Sequence, residues 1–285
     1  MRKLSSADSL YTFYIYIFSM NKSQCRISVI MGIFNCASTL IEALDSLEDQ
    51  TYKSFKIILC DDGSEDDTYL VAKEYANTHS NVLLIKNERN MGLNYTLNHC
   101  LEYVDTEYVA RMDGDDISLP FRFEKEINYL DKHKDCAVVS GPMIYFDENG
   151  DYKIGRGQGE VKKKHFIHGT PICHAPCMAR SEAIKQVGGY SVDDKLMRVE
   201  DYHLWFKLFA AGYKLFMLDE PIYKMRDDRN ATLRRTWKNR RNEVYVKHIG
   251  FKMIGLPWWT QLFCLRPIII YFMPNFVYNY FHKKK

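Results

Sequence analysis

FKIILC at residues 55–60 and YVARM at residues 108–112 are short apolar runs rich in β-branched and aromatic residues. A third run of this kind, ISVIM, occupies residues 27–31 and is bounded by Gly32 and Asn35. Runs of this length and composition are typical of buried strands. They predict a sheet that other elements cover on both faces.

Segments with a helical spacing of apolar residues separate these runs. The first begins at Ser38, which we expect to be the N-cap, and places Leu40 and Leu44 on one face. Strand and helix therefore alternate, which predicts parallel βαβ units in a Rossmann-like, mostly parallel α/β sheet with helices on both faces. The predicted helices cover residues 38–49, 68–76 and 92–103, and a further strand covers 81–85.

The pattern becomes less regular after Pro120. A glycine-rich stretch within this part predicts a mobile loop, and a longer loop around it is expected to shape the choice of substrate. We predict helices over 122–132 and 202–211, a strand over 137–140, the mobile loop over 153–159 and the longer loop over 141–172.

The sequence predicts three parts along the chain. The apolar run at residues 11–18 is far too short to span a bilayer, and we expect translation from Met20, with residues 1–19 non-structural. The three parts are a non-structural extension at 1–25, an α/β domain at 26–228, and a basic, aromatic helical segment at 229–285.

The charge is distributed unevenly. The formal net charge is +3, but residues 226–285 hold 13 basic and 3 acidic residues, and the remainder holds 26 basic and 33 acidic. Paired Trp258 and Trp259 open an apolar stretch that prolines interrupt. This pattern favours a segment lying on a membrane surface, although a helical hairpin packed over the domain is the alternative. No nucleic-acid-binding motif accompanies the basic residues.

Eight cysteines are scattered through the sequence without a pair of CxxC motifs. Several lie inside apolar runs, as Cys60 does, where cysteine behaves as a small hydrophobic residue. Cys173, His174 and Cys177 offer an alternative metal site, but no second cluster of ligands supports it. We expect reduced thiols.

Acidic residues follow two of the predicted strands directly. Asp61-Asp62-Gly63-Ser64 follows one, and Asp113-Gly114-Asp115-Asp116 follows another. Ligands of open α/β sheets bind at the carboxyl ends of the strands, where these residues fall. Clustered carboxylates repel each other unless a cation neutralises them, and we expect no basic side chain beside Asp113 and Asp115. Oxygen ligands suit Mn²⁺ or Mg²⁺, whereas a solvated turn is the alternative interpretation.

Asp62, Glu200 and Asp201 each have a structural and a functional interpretation. Asp62 is suited either to capping the next helix or to accepting a hydrogen bond from a nucleobase N–H. Glu200 and Asp201 open an amphipathic helix, where an acid is a common helix-terminal residue. A carboxylate at that position is also suited to act as a general base toward an acceptor hydroxyl.

The joint order and spacing of these segments resemble the family 2 inverting glycosyltransferases, which have the GT-A fold. The resemblance covers about residues 26–230. It is carried by Ile27–Asn35, Gln50-Thr51-Tyr52, Asp61–Ser64, Asn90-Met91-Gly92-Leu93, Asp113–Asp116, Gly188-Gly189-Tyr190 and Glu200-Asp201-Tyr202-His203-Leu204-Trp205.

Carried over by position, the resemblance implies a site for a nucleotide-diphosphate sugar. Asp62 would bind the base, expected to be uracil, with help from Gly32 and Phe34. Asn90 and Gly92 would lie beside the donor.

The resemblance also assigns the reacting groups. Asp113 would face the ribose or sugar and share the divalent cation, Mn²⁺ or Mg²⁺, with Asp115. Asp201 would be the base, with Glu200 as the weaker candidate, and His174 would approach the acceptor.

Two features depart from the family's pattern. Gly32-Ile33 stands where Pro-Thr or Pro-Ala is common. No histidine follows Tyr223-Lys224-Met225-Arg226, so Asp227 is only a guess for a third metal ligand.

The predicted reaction is inverting transfer of a sugar from a UDP-sugar to a hydroxyl of a glycan or lipid-linked acceptor, at the cytoplasmic face of a membrane. A catalytically degenerate binding or scaffold protein is the alternative. A polymerase is disfavoured because its palm triplet would not end a βαβαβ series, and the missing GxGxxG excludes a dinucleotide oxidoreductase.

Overall fold

The computed structural model describes residues 25–227 and 236–273. Their strands form an eight-stranded and a four-stranded sheet. The strands are β1 Ile27–Ile33, β2 Phe55–Asp61, β3 Val82–Lys86, β4 Tyr108–Arg111, β5 Ile117–Ser118, β6 Cys136–Ser140, β7 Met143–Asp147, β8 Gly150–Ile154, β9 Gly159–Glu160, β10 Met178–Arg180, β11 Lys214–Met217 and β12 Tyr223–Arg226.

The α-helices connect or cover these strands. Short 3₁₀ segments occupy Lys163–Ile167, Asp194–Leu196 and Trp258–Leu265. The helices are α1 Leu40–Glu48, α2 Thr68–Thr78, α3 Leu93–Leu101, α4 Arg122–Lys132, α5 Ser181–Gln186, α6 Glu200–Ala210, α7 Trp237–Met253 and α8 Arg266–Phe272.

The first half of the large sheet is parallel, in the order β3-β2-β1-β4. Strand β1 pairs with β2 from Ile27 opposite Phe55 to Ile33 opposite Asp61. The carboxyl ends of β1, β2 and β4 therefore meet at one edge of the sheet, and the acidic segments that follow β2 and β4 are brought to that edge.

Side chains of these strands alternate between two hydrophobic cores. Val29 and Ile57 point to the core that contains α1, α2 and α4. Ile30 and Ile58 point to the other core, which contains α3, α6 and α7. Both faces are covered, which is why the strands are continuously apolar. The predicted α/β class with helices on both faces is confirmed.

The second half of the large sheet departs from a purely parallel arrangement. Strand β10 runs antiparallel to both β4 and β6, and β11 then pairs parallel with β6. The small sheet has the order β5-β12-β7-β8. Its strand β12 pairs antiparallel with β5, which lies just after the acidic segment 113–116. The small sheet thereby supports that segment from one side.

Three expectations from the sequence are corrected. Residues 153–159 are not a free loop: β8 pairs with β7, and Gly155 donates a backbone hydrogen bond to Met143 at 2.8 Å. The larger stretch 141–172 likewise folds into strands and a 3₁₀ segment. Helix α1 has Thr39 rather than Ser38 at its N-cap, because the turn at Cys36 already bonds the Leu40 N–H.

The C-terminal segment packs on the α/β domain through α7. Gly250 lies against the Phe206 ring of α6, where a Cβ atom would come within 2.3 Å. Phe251 is fully buried, and its ring centroid lies 6.1 Å from that of Phe206. Helix α7 is therefore part of the same hydrophobic core as α6.

The chain beyond α7 has one buried and one exposed face. Thr260, Cys264 and Pro267 point inward. The exposed face carries large apolar side chains at a regular spacing of four and three residues, with exposures from 51% to 83%. This apolar stripe consists of Trp258, Leu262, Leu265, Ile269 and Phe272. None of the described helices is both long and apolar enough to cross a bilayer.

Some expectations concern residues outside the described ranges. These include the non-structural assignment of residues 1–19, the start of translation at Met20, and the basic residues Arg229, Arg234 and Arg235.

Candidate functional site

Three carboxylates cluster where β4 ends. One oxygen from each of Asp113, Asp115 and Asp116 lies within 4.8 Å of the others. The local sequence produces this arrangement because Gly114 packs against Cys36, where a Cβ atom would come within 2.8 Å of its sulfur. The chain therefore turns sharply after β4 and returns as β5, so that the three acids face one point.

The cluster is partly compensated by arginines. Arg111 forms an ion pair with Asp113, and Arg226 donates from Nε to the backbone carbonyl of Asp115 at 2.9 Å. The expectation of no basic side chain beside Asp113 and Asp115 is therefore wrong. Arg111 is only two residues away on the same strand, and Arg226 arrives from β12 through tertiary packing.

Electrostatic repulsion within the cluster persists despite these arginines. Burial, reinforced by the Asp113 carboxylate, raises the pKa of Asp115. Burial and then the Asp113 and Asp115 carboxylates raise the pKa of Asp116 to about 8. A cation bound between these oxygens would relieve both effects.

Asp116 belongs to the cluster, although the sequence pattern predicted no role for it alone. Its Oδ1 accepts a hydrogen bond from the Arg226 backbone N–H at 2.7 Å, so it also anchors β12. Asp227, the guess for a third ligand, is not in the cluster. Its carboxylate accepts a hydrogen bond from Tyr152 Oη at 2.6 Å.

A cavity of about 270 Å³, here called the first cavity, opens beside this edge of the sheet. Five of the six residues expected to bind the donor nucleotide line it, and Asp113 does not. Met197, Arg198 and Glu200 close its opposite side. The five are Gly32, Phe34, Asp62, Asn90 and Gly92.

Asp62 holds one wall of the first cavity in place. Its Oδ1 accepts hydrogen bonds from Asn87 Nδ2 at 2.8 Å and from the Met91 N–H at 2.9 Å. Its Oδ2 accepts one from the Gly92 N–H at 2.9 Å. Each carboxylate oxygen accepts about two hydrogen bonds, so Oδ2 retains capacity for one more N–H donor.

Two glycines allow this wall to form. Gly92 has φ +89° and Gly63 has φ +72°. Residues with a Cβ atom rarely adopt such positive φ values. A Cβ atom at Gly63 would also come within 2.6 Å of the Arg89 backbone. The two loops therefore approach closely enough for Asp62 to bind the backbone of residues 91 and 92.

Glu200 and Asp201 begin α6 and point to different spaces. Glu200 lines the first cavity. Asp201 lines a neighbouring second cavity of about 570 Å³. Burial, followed by the charge of Glu200, raises the pKa of Asp201 to about 6. Near neutral pH this carboxylate is ionised, and its pKa is close to the value that suits a proton acceptor.

The second cavity is assembled from three distant parts of the chain. Thr170 donates a hydrogen bond from Oγ1 to Asp201 Oδ2 at 3.5 Å. Helix α7 provides the facing wall, and Arg198 lines both cavities. The lining residues are Gly169, Thr170, Arg198, Val199, Asp201, Tyr202, Thr236, Asn239, Arg240 and Glu243.

His174 lines neither cavity. Its Nε2 lies 2.8 Å from Tyr190 Oη, and its ring lies against Trp205 at 5.8 Å. Burial, and to a lesser extent Arg111, lowers its pKa well below the usual value, so the ring is neutral at pH 7. The Cys173–Cys177 segment does not join a metal cluster of the described residues.

Arg198, Thr170 and the α7 residues of the second cavity were not among the residues predicted from the sequence. Arg198 has φ +68°, which is uncommon for a residue with a Cβ atom. No pattern of spacing marks these residues, because packing between distant segments brings them together.

Comparison with protein families and curated sequences identifies relatives of the chain. The model of Glycosyl transferase family 2 matches residues 28–188. The chain is 38% identical over 262 residues to a protein of Bacillus subtilis described as putative glycosyltransferase EpsE, with 91% of this chain and 94% of that protein covered.

Solved structures share the fold. S. aureus TarS 1-349 in complex with UDP-GlcNAc superposes with a TM-score of 0.64 at 17% identity, over 80% of this chain and 70% of that one. The mannosyltransferase PcManGT from Pyrobaculum calidifontis, in complex with GDP-Man and Mn²⁺, gives 0.63 at 18% identity, over 92% and 82%. The matched family model, the EpsE identity and this shared fold lead to one conclusion: the chain is a glycosyltransferase that belongs to glycosyl transferase family 2.

Proposed function

We propose that this enzyme transfers a sugar, with inversion, from a UDP-sugar to a hydroxyl of a glycan or lipid-linked acceptor in the synthesis of a cell-surface polysaccharide. The observation that carries the proposal is the position of the first cavity. Its lining joins Asp62 to three other segments of the chain, at residues 32–34, 90–96 and 197–200. The proposed base Asp201 lies one residue beyond that lining.

The first cavity is the proposed donor site. The remaining acceptor capacity of Asp62 Oδ2 suits the single imide N–H of uracil, and Phe34 offers an exposed ring to stack on the base. Gly32 leaves the floor free of a side chain. The UDP-GlcNAc complex of TarS, which shares the fold, supports a uridine donor.

The acidic cluster fits a divalent cation. Asp113 and Asp115 would hold it, with Asp116 as a further oxygen ligand within reach. Hard oxygen ligands favour Mn²⁺ or Mg²⁺, and the Mn²⁺ complex of PcManGT supports Mn²⁺. Such a cation balances the charge that develops on the departing diphosphate. The protein's own residues position the ligand oxygens through Gly114, Arg111 and the β12 backbone.

Asp201 is the proposed base. The acceptor hydroxyl would lie in the second cavity and lose its proton to the carboxylate as its oxygen attacks the anomeric carbon on the side opposite the diphosphate. Attack from that side inverts the configuration without a covalent enzyme intermediate. Glu200, which faces the donor cavity, is the weaker candidate.

The apolar stripe supports a location at the inner face of the cell membrane. Trp258 and Phe272 lie at its two ends, and Lys252 and Arg266 lie beside it. Aromatic residues and bases on such a segment are typical of interfacial binding. A truncation before α7 would remove Phe251 and expose Phe206, so point substitutions test this location better.

The membrane test is flotation with vesicles of phosphatidylglycerol and phosphatidylcholine. The Leu262→Ser/Ile269→Ser variant should lose most of the binding that the wild type shows. Leu70→Ser, which changes an equally exposed leucine on α2, should retain it. Equal binding by both variants would contradict a membrane role for the stripe.

The donor test is release of UDP or GDP from a panel of nucleotide sugars with Mn²⁺. We expect turnover with at least one UDP-sugar and none in excess chelator. Turnover with GDP-sugars alone would overturn the uridine assignment. Binding of UDP without turnover of any sugar would favour the scaffold alternative.

A further inference from the structure

The Asp62 carboxylate is held by an asparagine that lies behind the wall of the first cavity. Asn87 comes directly after β3. Its exposure is 5%, and that of Asp62 is 4%. Asn87 is not part of the cavity lining, but its Nδ2 donates to Asp62 Oδ1 at 2.8 Å. Asn87 can therefore influence a bound base through Asp62 without touching the base.

The side-chain amide of Asn87 is fixed in one orientation. Its Nδ2 also donates to Thr96 Oγ1 at 3.0 Å, and Thr96 Oγ1 in turn donates to the Gly92 carbonyl. The Asn87 Oδ1 atom lies 2.8 Å from His99 Nδ1. Because a carboxylate accepts hydrogen bonds, the amide must turn its NH₂ group to Asp62 and its oxygen to His99. His99 Nδ1 must then carry a proton, so the His99 ring sets the orientation of Asn87.

These contacts limit the acceptor capacity that Asp62 offers to a base. Its Oδ1 accepts from Asn87 Nδ2 and from the Met91 N–H, which fills the usual capacity of two hydrogen bonds. Its Oδ2 accepts from the Gly92 N–H and retains one position. Uracil has a single imide N–H, whereas guanine has an N–H beside an NH₂ group, which together suit both oxygens of one carboxylate. A single free acceptor position therefore matches uracil better than guanine.

We propose that Asn87, oriented by His99, is a positioning residue that leaves one oxygen of Asp62 to bind the base, and that it thereby favours uracil over guanine. This inference rests on the proposed function, because it takes the first cavity as the donor site. It adds two residues outside the cavity lining and a physical basis for the choice of nucleotide.

The test is calorimetric titration of the full-length protein with UDP and, separately, with GDP, each in the presence of Mn²⁺. Asn87→Ala should weaken UDP binding by about fivefold or more, the scale of one lost hydrogen bond. GDP binding should weaken less, because the released carboxylate can present both oxygens to guanine. The ratio of UDP affinity to GDP affinity should therefore fall by about threefold or more.

Asn98→Ala is the matched control. Asn98 lies on α3, and its side chain makes two hydrogen bonds to the Tyr190 backbone, at 2.7 and 2.8 Å. It lines neither cavity. Its loss should lower Tm, as the loss of Asn87 does, but should leave UDP affinity within about twofold of the wild type.

Two further comparisons separate positioning from general stability. His99→Leu has no donor at this position and should weaken UDP binding. His99→Asn has a side-chain N–H in place of the Nδ1 donor and should keep UDP affinity within about twofold of the wild type. In the Asp62→Ala background, Asn87→Ala should change UDP affinity by less than about twofold, because Asn87 acts through Asp62.

Four outcomes would overturn the proposal: unchanged UDP affinity in Asn87→Ala, an unchanged ratio of UDP to GDP affinity, equal loss in Asn87→Ala and Asn98→Ala, or an equal effect of Asn87→Ala with and without the Asp62 carboxylate. If Asn87→Ala does not fold, equal UDP affinities of His99→Leu and His99→Asn contradict the proposal. Failure of the proposed donor site has a different signature, because the wild type would then not bind UDP.

Discussion

The two cavities differ in how the chain builds them. The first is lined mainly by residues in or next to β1, β2 and α3, so it is a product of the repeating βαβ pattern. The second joins residues near 170, the start of α6 and the start of α7, which lie far apart in the sequence. A cavity at strand ends is inherited with the fold, whereas a cavity between distant segments is free to vary with the substrate.

The largest effect is expected at the acidic cluster, whose three carboxylates line neither cavity. Asp115→Ala should lower kcat by about 10³-fold or more, because several kcal/mol of charge stabilisation on the leaving diphosphate would be lost. The measurement is UDP release at saturating donor over a range of Mn²⁺ concentrations. Glu148→Ala, at an exposed acid away from the cluster, is the control. Full activity of Asp115→Ala would contradict the metal assignment.

The second-largest effect distinguishes the proposed roles of the two cavities. Asp201→Asn is nearly isosteric but cannot take a proton, so transfer should fall by about 10² or more. UDP affinity should stay unchanged, because Asp201 does not line the first cavity. Glu200→Gln should alter donor binding, and it should lower the rate of transfer less than Asp201→Asn does. If Glu200→Gln is crippled and Asp201→Asn is not, the base is the other carboxylate.

The pH dependence of kcat/KM is a second test of Asp201 as the base. Asp201 has a pKa raised to about 6 by burial and by Glu200. Below that value the carboxyl is protonated and cannot act as a base, so kcat/KM should rise with pH through about 6 and then level off. At pH 5 the rate should be about tenfold below the plateau. The residual activity of Asp201→Asn should lack this inflection, and a wild-type profile that is flat from pH 5 to 8 would exclude the assignment.

The smallest effect is expected at the wall of the first cavity. Asp62→Asn places an amide NH₂ where a carboxylate oxygen accepts backbone N–H groups. Loss of such a bond costs about 1–3 kcal/mol, which should lower Tm and raise the donor KM by about tenfold. Asp67→Asn, at an exposed acid nearby, should change neither. An unchanged donor KM in Asp62→Asn would remove Asp62 from the donor site.

Much of the first cavity can be predicted from the sequence, because the formation of strands and turns depends on residues that are close together in the chain. The run at residues 55–60 and the acids after it predict both a buried strand and a residue at its carboxyl end. The same reasoning places Asp113 and Asp115 at the carboxyl end of β4, which β1 separates from β2. These predictions need only the periodicity of side chains and the geometry of parallel sheets.

The sequence alone determined the α/β class, the strand ends that carry acids, and an apolar C-terminal segment with bases around it. Only the tertiary structure decided which of Glu200 and Asp201 faces which cavity, that Arg226 reaches the Asp115 carbonyl, and that Arg240 lies opposite Asp201. The physical reason is the separation along the chain between the residues that interact. Strand and helix patterns come from neighbouring residues, whereas these contacts depend on how α6, α7 and β12 pack against a shared core.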